Sequence, residues 1–154
     1  MKHLNVGDKA PQFESVDQNG DTVKLSDYSG KRLALYFYPR DLTPTCTVQA
    51  CDLRDHDAML KEHNIAILGV NDDDAKKHQK FIDKHDLPFP LLVDTEKEVL
   101  KAYGVWGPKK FMGREFDGTH RTTFLIDENG IIVNIIEKVK AKIHTEQIIE
   151  GFGL

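Results

Sequence analysis

The chain has 154 residues, of which 40% are hydrophobic and 30% charged, and its formal net charge at pH 7 is −4. This length allows one domain with a sizeable core and is too short for two ordinary domains, so we expect residues 1–154 to form a single domain. The acidic balance and the short basic runs indicate that nucleic acid is not a partner, and no apolar stretch approaches the roughly 20 residues of a membrane span.

The elements predicted from the amino-terminal half begin with a hairpin. The patterns of segments 13–16 and 22–25 predict strands, and the polar stretch between them predicts a turn. Continuous apolar runs at 33–37 and 65–70 are typical of strands buried on both faces. A helix pattern at 44–62 follows the first of these runs directly.

The carboxy-terminal half continues the alternation of strands and helices. The predicted strands lie at 91–93, 123–126 and 131–136, and the predicted helices at 72–86, 95–103 and 144–150. Asp72, Asp73 and Asp74 after Asn71 predict a helix cap with acids in the first turn, and Trp106 to Lys110 predicts an exposed loop. The order suits an α/β, thioredoxin-like fold: a central, mostly parallel sheet with helices on both faces and an N-terminal β-hairpin.

The two cysteines of the chain, Cys46 and Cys51, carry the clearest chemical signal. Cys46 falls at a strand-to-helix junction, where the unpaired N–H groups and the dipole of the helix stabilise a thiolate. Pro44 presets the backbone of the first turn, and Thr43 or Thr45 can cap it. The Cys46 thiol is therefore predicted to be activated, and the Cys51 thiol to be placed to react with it. This pairing indicates redox chemistry.

The spacing of Cys46 and Cys51 also constrains how they react. Five residues of ideal α-helix separate the two Cα atoms by about 8.7 Å, whereas a disulfide needs them within about 7 Å. Either the pair never bonds, or the first turns of the helix must unwind. The alternative is that both are small, buried and inert helix residues.

The spacing of Pro39, Thr43 and Cys46 resembles the active-site signature of peroxiredoxins, which are thiol peroxidases with a thioredoxin-like fold. The position of Cys51 is similar to the bacterioferritin-comigratory-protein type, also called the Q class. One departure is Thr45, where the family commonly has glycine. The resemblance extends over nearly the whole chain and includes Val6–Phe13, Cys51–Asp55, Val105–Lys109 and Arg121–Asp127.

The resemblance implies a role for each of these residues. Cys46 attacks a peroxide and becomes a sulfenic acid, and Cys51 then forms an intramolecular disulfide with it. Arg121, at the start of a strand expected to be adjacent in the sheet, should hold the thiolate and stabilise the leaving oxygen. Thr43 is expected to hydrogen-bond the peroxide, and Pro39 to shield the pocket from water.

Each role has a simpler alternative. Arg121 could be a surface ion-pair residue, and Arg40 could share its role. Thr43 could serve only as a helix cap and Pro39 only as a turn-former. Cys51 could be a buried helix residue, in which case an outside thiol would complete the turnover.

The expected activity is the reduction of hydrogen peroxide and organic hydroperoxides. The resemblance implies thioredoxin or a glutaredoxin-like protein as reductant, and a monomer.

The sequence has no flavin, haem or nicotinamide signature, and His56 with the two cysteines does not have zinc-site spacing, so we expect no cofactor or metal. The first eight residues have no apolar segment typical of a secretory signal, so a soluble cytoplasmic protein is expected. The alternative function is a holdase or redox-sensing module.

Overall fold

The structure, a computed structural model, describes residues 3–154. Met1 and Lys2, which belong to the segment considered above for a secretory signal, lie outside the described residues. Its strands are β1 Glu14–Val16, β2 Thr22–Lys24, β3 Arg32–Phe37, β4 Ile65–Asn71, β5 Leu91–Val93, β6 Trp106–Phe111, β7 Arg114–Thr119, β8 Thr122–Ile126 and β9 Ile132–Ile136. Its α-helices are α1 Pro44–Asp55, α2 Asp57–Glu62, α3 Ala75–His85, α4 Glu98–Ala102 and α5 His144–Gly151. Short 3₁₀ helices cover Leu25–Tyr28 and Ala141–Ile143.

Seven of the strands form one sheet in the order β2-β1-β5-β4-β3-β8-β9. Strands β3, β4 and β5 pair in parallel. Strands β2 and β9 run in the same direction as these three, because each pairs antiparallel to a strand that itself runs antiparallel to that group. Five of the seven strands therefore point the same way. The predicted N-terminal hairpin and mostly parallel sheet are confirmed.

The side chains of β3 alternate between two hydrophobic clusters, one on each face of the sheet. Leu33, Leu35 and Phe37 pack in the cluster that α4 covers. Ala34 and Tyr36, together with Tyr38 directly after the strand, point to the opposite face, where residues of α1, α2, α3 and α5 complete a second cluster. A strand buried on both faces needs an uninterrupted apolar sequence, which is why this strand could be predicted from the sequence. Helices on both faces were predicted and are present.

The helices differ from their predicted bounds. The helix predicted at 44–62 is two helices that break at His56. The helix predicted at 72–86 begins only at Ala75, because the Asp74 side chain caps it by accepting the Lys77 N–H at 2.9 Å. The prediction of acids in the first turn of this helix was therefore wrong.

The helix predicted at 95–103 is also shorter, because the buried carboxylate of Asp94 delays its start. It accepts the backbone N–H groups of Val99 and Leu100 at 3.2 Å and 2.8 Å, and Lys97 is held at a φ of 62°. Within the part of the chain that the structure describes, no helix is long and apolar enough to cross a membrane.

The exposed loop predicted at Trp106 to Lys110 is instead strand β6, which pairs with β7 as a separate antiparallel hairpin. Its turn residues, Met112 and Gly113, have φ values of 51° and 78°, and a two-residue hairpin turn of this kind requires positive φ at both positions. Most side chains of the hairpin face solvent. The hairpin therefore lacks the apolar run by which the buried strands could be predicted.

Candidate active site

Cys46 is the third residue of α1, and its side chain is only 2% exposed. The helix starts with Pro44 in its first position, directly after Thr43 in the N-cap position. The Thr43 hydroxyl does not cap the helix; it donates instead to the Arg40 carbonyl oxygen at 3.0 Å. This local hydrogen bond lies within the loop between β3 and α1. The loop places Cys46 near the end of β3.

Arg121 immediately precedes β8 and contacts Cys46. Strand β8 pairs with β3 with Thr122 opposite Phe37, so the start of β8 lies beside the end of β3. This confirms the predicted adjacency. The Nη2 group of Arg121 donates to Cys46 Sγ at 3.2 Å, and its Nη1 group donates to Gln49 Oε1. The guanidinium therefore holds a positive charge and a directed N–H donor against the buried sulfur.

The hydrogen bonds continue from Gln49 into the core. Gln49 Nε2 lies 3.2 Å from His144 Nδ1, and His144 Nε2 lies 2.8 Å from Thr123 Oγ1. We call the series Cys46, Arg121, Gln49, His144 and Thr123 the Arg121 chain. Burial, with a smaller contribution from the Arg121 charge, lowers the pKa of His144 to about 3, so its ring is neutral at neutral pH.

Gln49, His144 and Thr123 were not predicted from the sequence as site residues. Gln49 follows Cys46 by three residues, and such residues share one face of a helix. That spacing could have identified it. His144 lies 95 residues from Gln49 along the chain, and no local sequence signal connects the two.

A second buried network supports the loop before α1. The Asp41 carboxylate accepts hydrogen bonds from Tyr38 Oη at 2.6 Å and from Asn71 Nδ2 at 3.0 Å. His78 Nδ1 lies 2.5 Å from Asp41 Oδ2, and His78 Nε2 lies 2.9 Å from the Leu92 carbonyl oxygen. Both ring nitrogens thus lie within hydrogen-bond distance of an oxygen atom. This pairing anchors the loop to β4, β5 and α3.

The remaining candidates lie around this centre. Pro39 is half-buried in the bend after β3. Arg40 is exposed, and within residues 3–154 its guanidinium makes no hydrogen bond to Cys46. Lys109 of β6 donates to the Thr119 carbonyl oxygen at 2.8 Å. Burial, and after it the Arg121 charge, lowers the pKa of Lys109. The influence of Arg121 indicates that Lys109 is a second cation near the site.

Cys51 is half-buried and faces away from the Arg121 chain. Its Sγ atom lies 3.9 Å from His85 Nδ1 on α3. Both cysteines are free thiols, and α1 is unbroken from one to the other. This agrees with the prediction that the two sulfurs do not bond while the helix is intact.

Comparisons with known proteins relate the chain to one family. The AhpC/TSA family matches residues 6–135. The Bacillus subtilis protein named peroxiredoxin Bcp is 47% identical over 147 residues, which are 96% of this chain and 94% of that protein.

Two solved structures are similar in fold. A Xylella fastidiosa PrxQ, in a cysteine-to-serine mutant, has a TM-score of 0.91 and 29% identity, with 99% of this chain and 98% of that chain covered. A Xanthomonas campestris bacterioferritin comigratory protein, described for its alkyl peroxide reduction activity, has a TM-score of 0.85 and 29% identity, with 92% and 90% covered. The predicted thioredoxin-like fold and the predicted resemblance are confirmed.

Proposed function

Because the chain belongs to the AhpC/TSA family and is a thiol peroxidase of the peroxiredoxin type, we propose that Cys46 is the thiol that attacks the peroxide and that Cys51 resolves the product. The observation that carries this proposal is the 3.2 Å contact from Arg121 Nη2 to the buried sulfur of Cys46, in the first turn of α1. A cation and a helix start at one sulfur favour its thiolate form.

In the first step the Cys46 thiolate attacks the terminal oxygen of the peroxide. The S–O bond forms and the O–O bond breaks, so the sulfur is oxidised to a sulfenic acid. The other oxygen takes up a proton and leaves as water or an alcohol. Arg121 stabilises the charge that passes onto this oxygen. Thr43 accepts a hydrogen bond from the peroxide through a lone pair, since its own hydroxyl proton is directed to Arg40, and Pro39 limits access of water.

In the second step Cys51 attacks the sulfenic sulfur. The S–S bond forms, and the hydroxyl leaves as water with the Cys51 proton. Because about 8.7 Å separates the two Cα atoms in an intact helix, α1 unwinds before the bond forms. The Cys51 contact with His85 must break at the same time.

An external dithiol completes the cycle, because the chain has no Cys-x-x-Cys pair of its own to reduce the disulfide. We propose thioredoxin or a glutaredoxin-like protein as this reductant, acting on a monomeric protein in the cytoplasm. The alkyl peroxide reduction described for the Xanthomonas relative supports organic hydroperoxides, alongside hydrogen peroxide, as substrates.

The test is peroxide-dependent consumption of NADPH in the presence of thioredoxin and thioredoxin reductase. We expect the wild type to turn over many times and Cys46→Ser not at all. Cys51→Ser should reduce one equivalent of peroxide and then stop, because its sulfenic acid has no internal partner. The same assay is run with a glutaredoxin-like protein as the reductant. If the wild type reduces only one equivalent of peroxide with thioredoxin and also with the glutaredoxin-like protein, the chain is a redox sensor or holdase and the proposed cycle is wrong.

A further inference from the structure

His144, the first residue of α5, connects three elements through its imidazole ring. Its Nδ1 atom meets Gln49 on α1, and its Nε2 atom meets Thr123 on β8. The ring is 0% exposed and packs edge-on against Tyr36, with the ring centroids 5.6 Å apart. A polar side chain buried to this degree is costly unless each of its polar atoms is paired, and both nitrogens are paired here.

The direction of every hydrogen bond in the Arg121 chain follows from its charged end. A guanidinium has only donors, so Gln49 must turn its carbonyl oxygen toward Arg121. The amide nitrogen of Gln49 then faces His144 and donates to Nδ1, which must carry no proton. The proton of the neutral ring consequently lies on Nε2 and is donated to Thr123 Oγ1.

We propose that His144 is a positioning residue for the peroxide step. By accepting from the Gln49 amide, it keeps the Gln49 carbonyl oxygen toward Arg121, and this oxygen directs the guanidinium at Cys46. Thr123 selects the required tautomer by accepting the Nε2 proton. The inference rests on the proposed role of Arg121 and assigns a function to the start of α5.

The consequence of losing the Nδ1 acceptor follows from burial. Gln49 is 0% exposed, so no solvent replaces His144 as a partner of its amide nitrogen. If the amide rotates to find another partner, its N–H group meets the N–H group of Arg121. Either outcome leaves a buried donor unpaired, which costs far more than a solvated hydrogen bond contributes. The guanidinium is then no longer held in line with the Cys46 sulfur.

Two substitutions separate positioning from simple packing. The side-chain oxygen of asparagine lies close to the place of a histidine Nδ1, whereas the terminal amide of glutamine reaches the place of Nε2. His144→Asn therefore preserves an acceptor for Gln49, and His144→Gln preserves a contact with Thr123. Both lose the same ring contact with Tyr36.

The rate of oxidation of Cys46 by hydrogen peroxide should be measured in a Cys51→Ser background, so that only the first step is observed. The fluorescence of the single tryptophan, Trp106, or competition with a second peroxidase provides the signal. We expect His144→Asn to react within about 3-fold of the parent and His144→Gln to be slower by about 10- to 100-fold. The thiolate absorbance of Cys46 at neutral pH should fall in the same order.

Thr145→Val is the matched control. Thr145 adjoins His144 at the start of α5 and also contacts α1, where its hydroxyl donates to the Asp52 carbonyl oxygen at 3.3 Å, but it lies outside the Arg121 chain. We expect its oxidation rate to stay within about twofold of the parent. A slow Thr145→Val variant would show that disturbed α5 packing alone slows the reaction, and this would overturn the proposal.

Arg121→Lys in the same background distinguishes failure of the inference from failure of the proposed function. If Arg121→Lys is slow while His144→Gln and His144→Asn react equally, the role of Arg121 stands and that of His144 is overturned. If Arg121→Lys reacts at the parent rate, the proposed role of Arg121 has itself failed. Should the variants not fold, nitrogen NMR of wild-type His144 still decides the point: a proton on Nε2 supports the proposal, and a proton on Nδ1 overturns it.

Discussion

Arg121 has two partners that one point charge could not serve together. Each of its two terminal nitrogens donates to a different partner: Nη2 to the Cys46 sulfur, and Nη1 to Gln49 Oε1. A planar guanidinium provides such divergent donors in a fixed geometry, whereas a lysine ammonium is a compact charge on a flexible stem. The residue type at this position therefore matters beyond its charge.

We predict that Arg121→Lys lowers the rate of peroxide reduction by about 10- to 1000-fold, the range for loss of one oriented electrostatic donor. Folding should change little, because the side chain is only half-buried and lies just before the first residue of β8. Stopped-flow oxidation kinetics measure the rate, and thermal unfolding measures stability. Arg40→Lys is the control, since Arg40 is exposed. If Arg40→Lys is the slower of the two, Arg40 rather than Arg121 stabilises the reacting groups.

At the scale of elements, the helix that carries both cysteines is also the one that must change shape. Helix α1 packs against the start of α5, where the backbone N–H of Thr145 donates to Asp52 Oδ2 at 2.7 Å. Asp52 adjoins Cys51, so this hydrogen bond holds the part of α1 that must unwind. The carboxylate also lies at the positive end of the α5 dipole, which strengthens the contact.

We predict that oxidation unwinds α1 locally. On addition of one equivalent of peroxide, the amides of Thr47 to Leu53 should lose protection from hydrogen exchange, and they should regain it on reduction. Amides of β4 provide the internal control, since this central strand should be equally protected in both states. Unchanged protection of α1 would mean that Cys46 and Cys51 do not pair within one chain.

We predict that Asp52→Ala speeds disulfide formation by about 3- to 30-fold, because it removes a charge-assisted hydrogen bond that holds α1 in its folded form. Alanine has a higher helix propensity than aspartate, so the substitution does not weaken α1 itself. The rate of the first oxidation should be unchanged, since Asp52 lies outside the Arg121 chain. Two-phase tryptophan fluorescence after peroxide mixing resolves both steps. A slower second phase would contradict the proposed restraint of α1 by α5.

For the whole molecule, sequence reasoning succeeded where structure depends on local pattern. The buried strand β5 was predicted with its observed bounds, and β3 and β4 were each predicted to within one residue at either end. Cys46 was predicted from its place at the start of a helix and Arg121 mainly through the resemblance, and their contact is present.

Sequence reasoning failed where structure depends on pairs that are distant in sequence or exposed to solvent. Asp41 and His78 lie 37 residues apart, and Gln49 and His144 lie 95 residues apart, so no short-range pattern records either pair. The β6–β7 hairpin has a solvated surface, so its strands lack the apolar signature of a buried strand. The break at His56 falls within a helical pattern that continues on both sides.

The burial of His144 also makes the stability of the whole fold depend on pH. Arg121 is the charged group in its hydrogen-bonded surroundings, and Gln49, Thr123 and Tyr36 are the uncharged neighbours. Burial first, and Arg121 second, lower the pKa of His144 from 6.5 to about 3. Between these two values the unfolded chain binds a proton at this residue and the folded chain does not.

We therefore predict that His144 does not lower the free energy of unfolding above about pH 6.5. Its contribution should make the free energy of unfolding fall as the pH decreases from 6.5 toward 3. One proton contributes a slope of at most about 1.4 kcal/mol per pH unit. Urea unfolding of the reduced protein at several pH values between these limits measures the slope. His144→Asn cannot bind this proton, so its slope should be shallower by up to that amount, while other titrating groups contribute equally to both proteins. Equal slopes would mean that His144 is protonated in the folded protein. A protonated ring would have no acceptor to offer Gln49, so the same measurement also bears on the direction of the Arg121 chain.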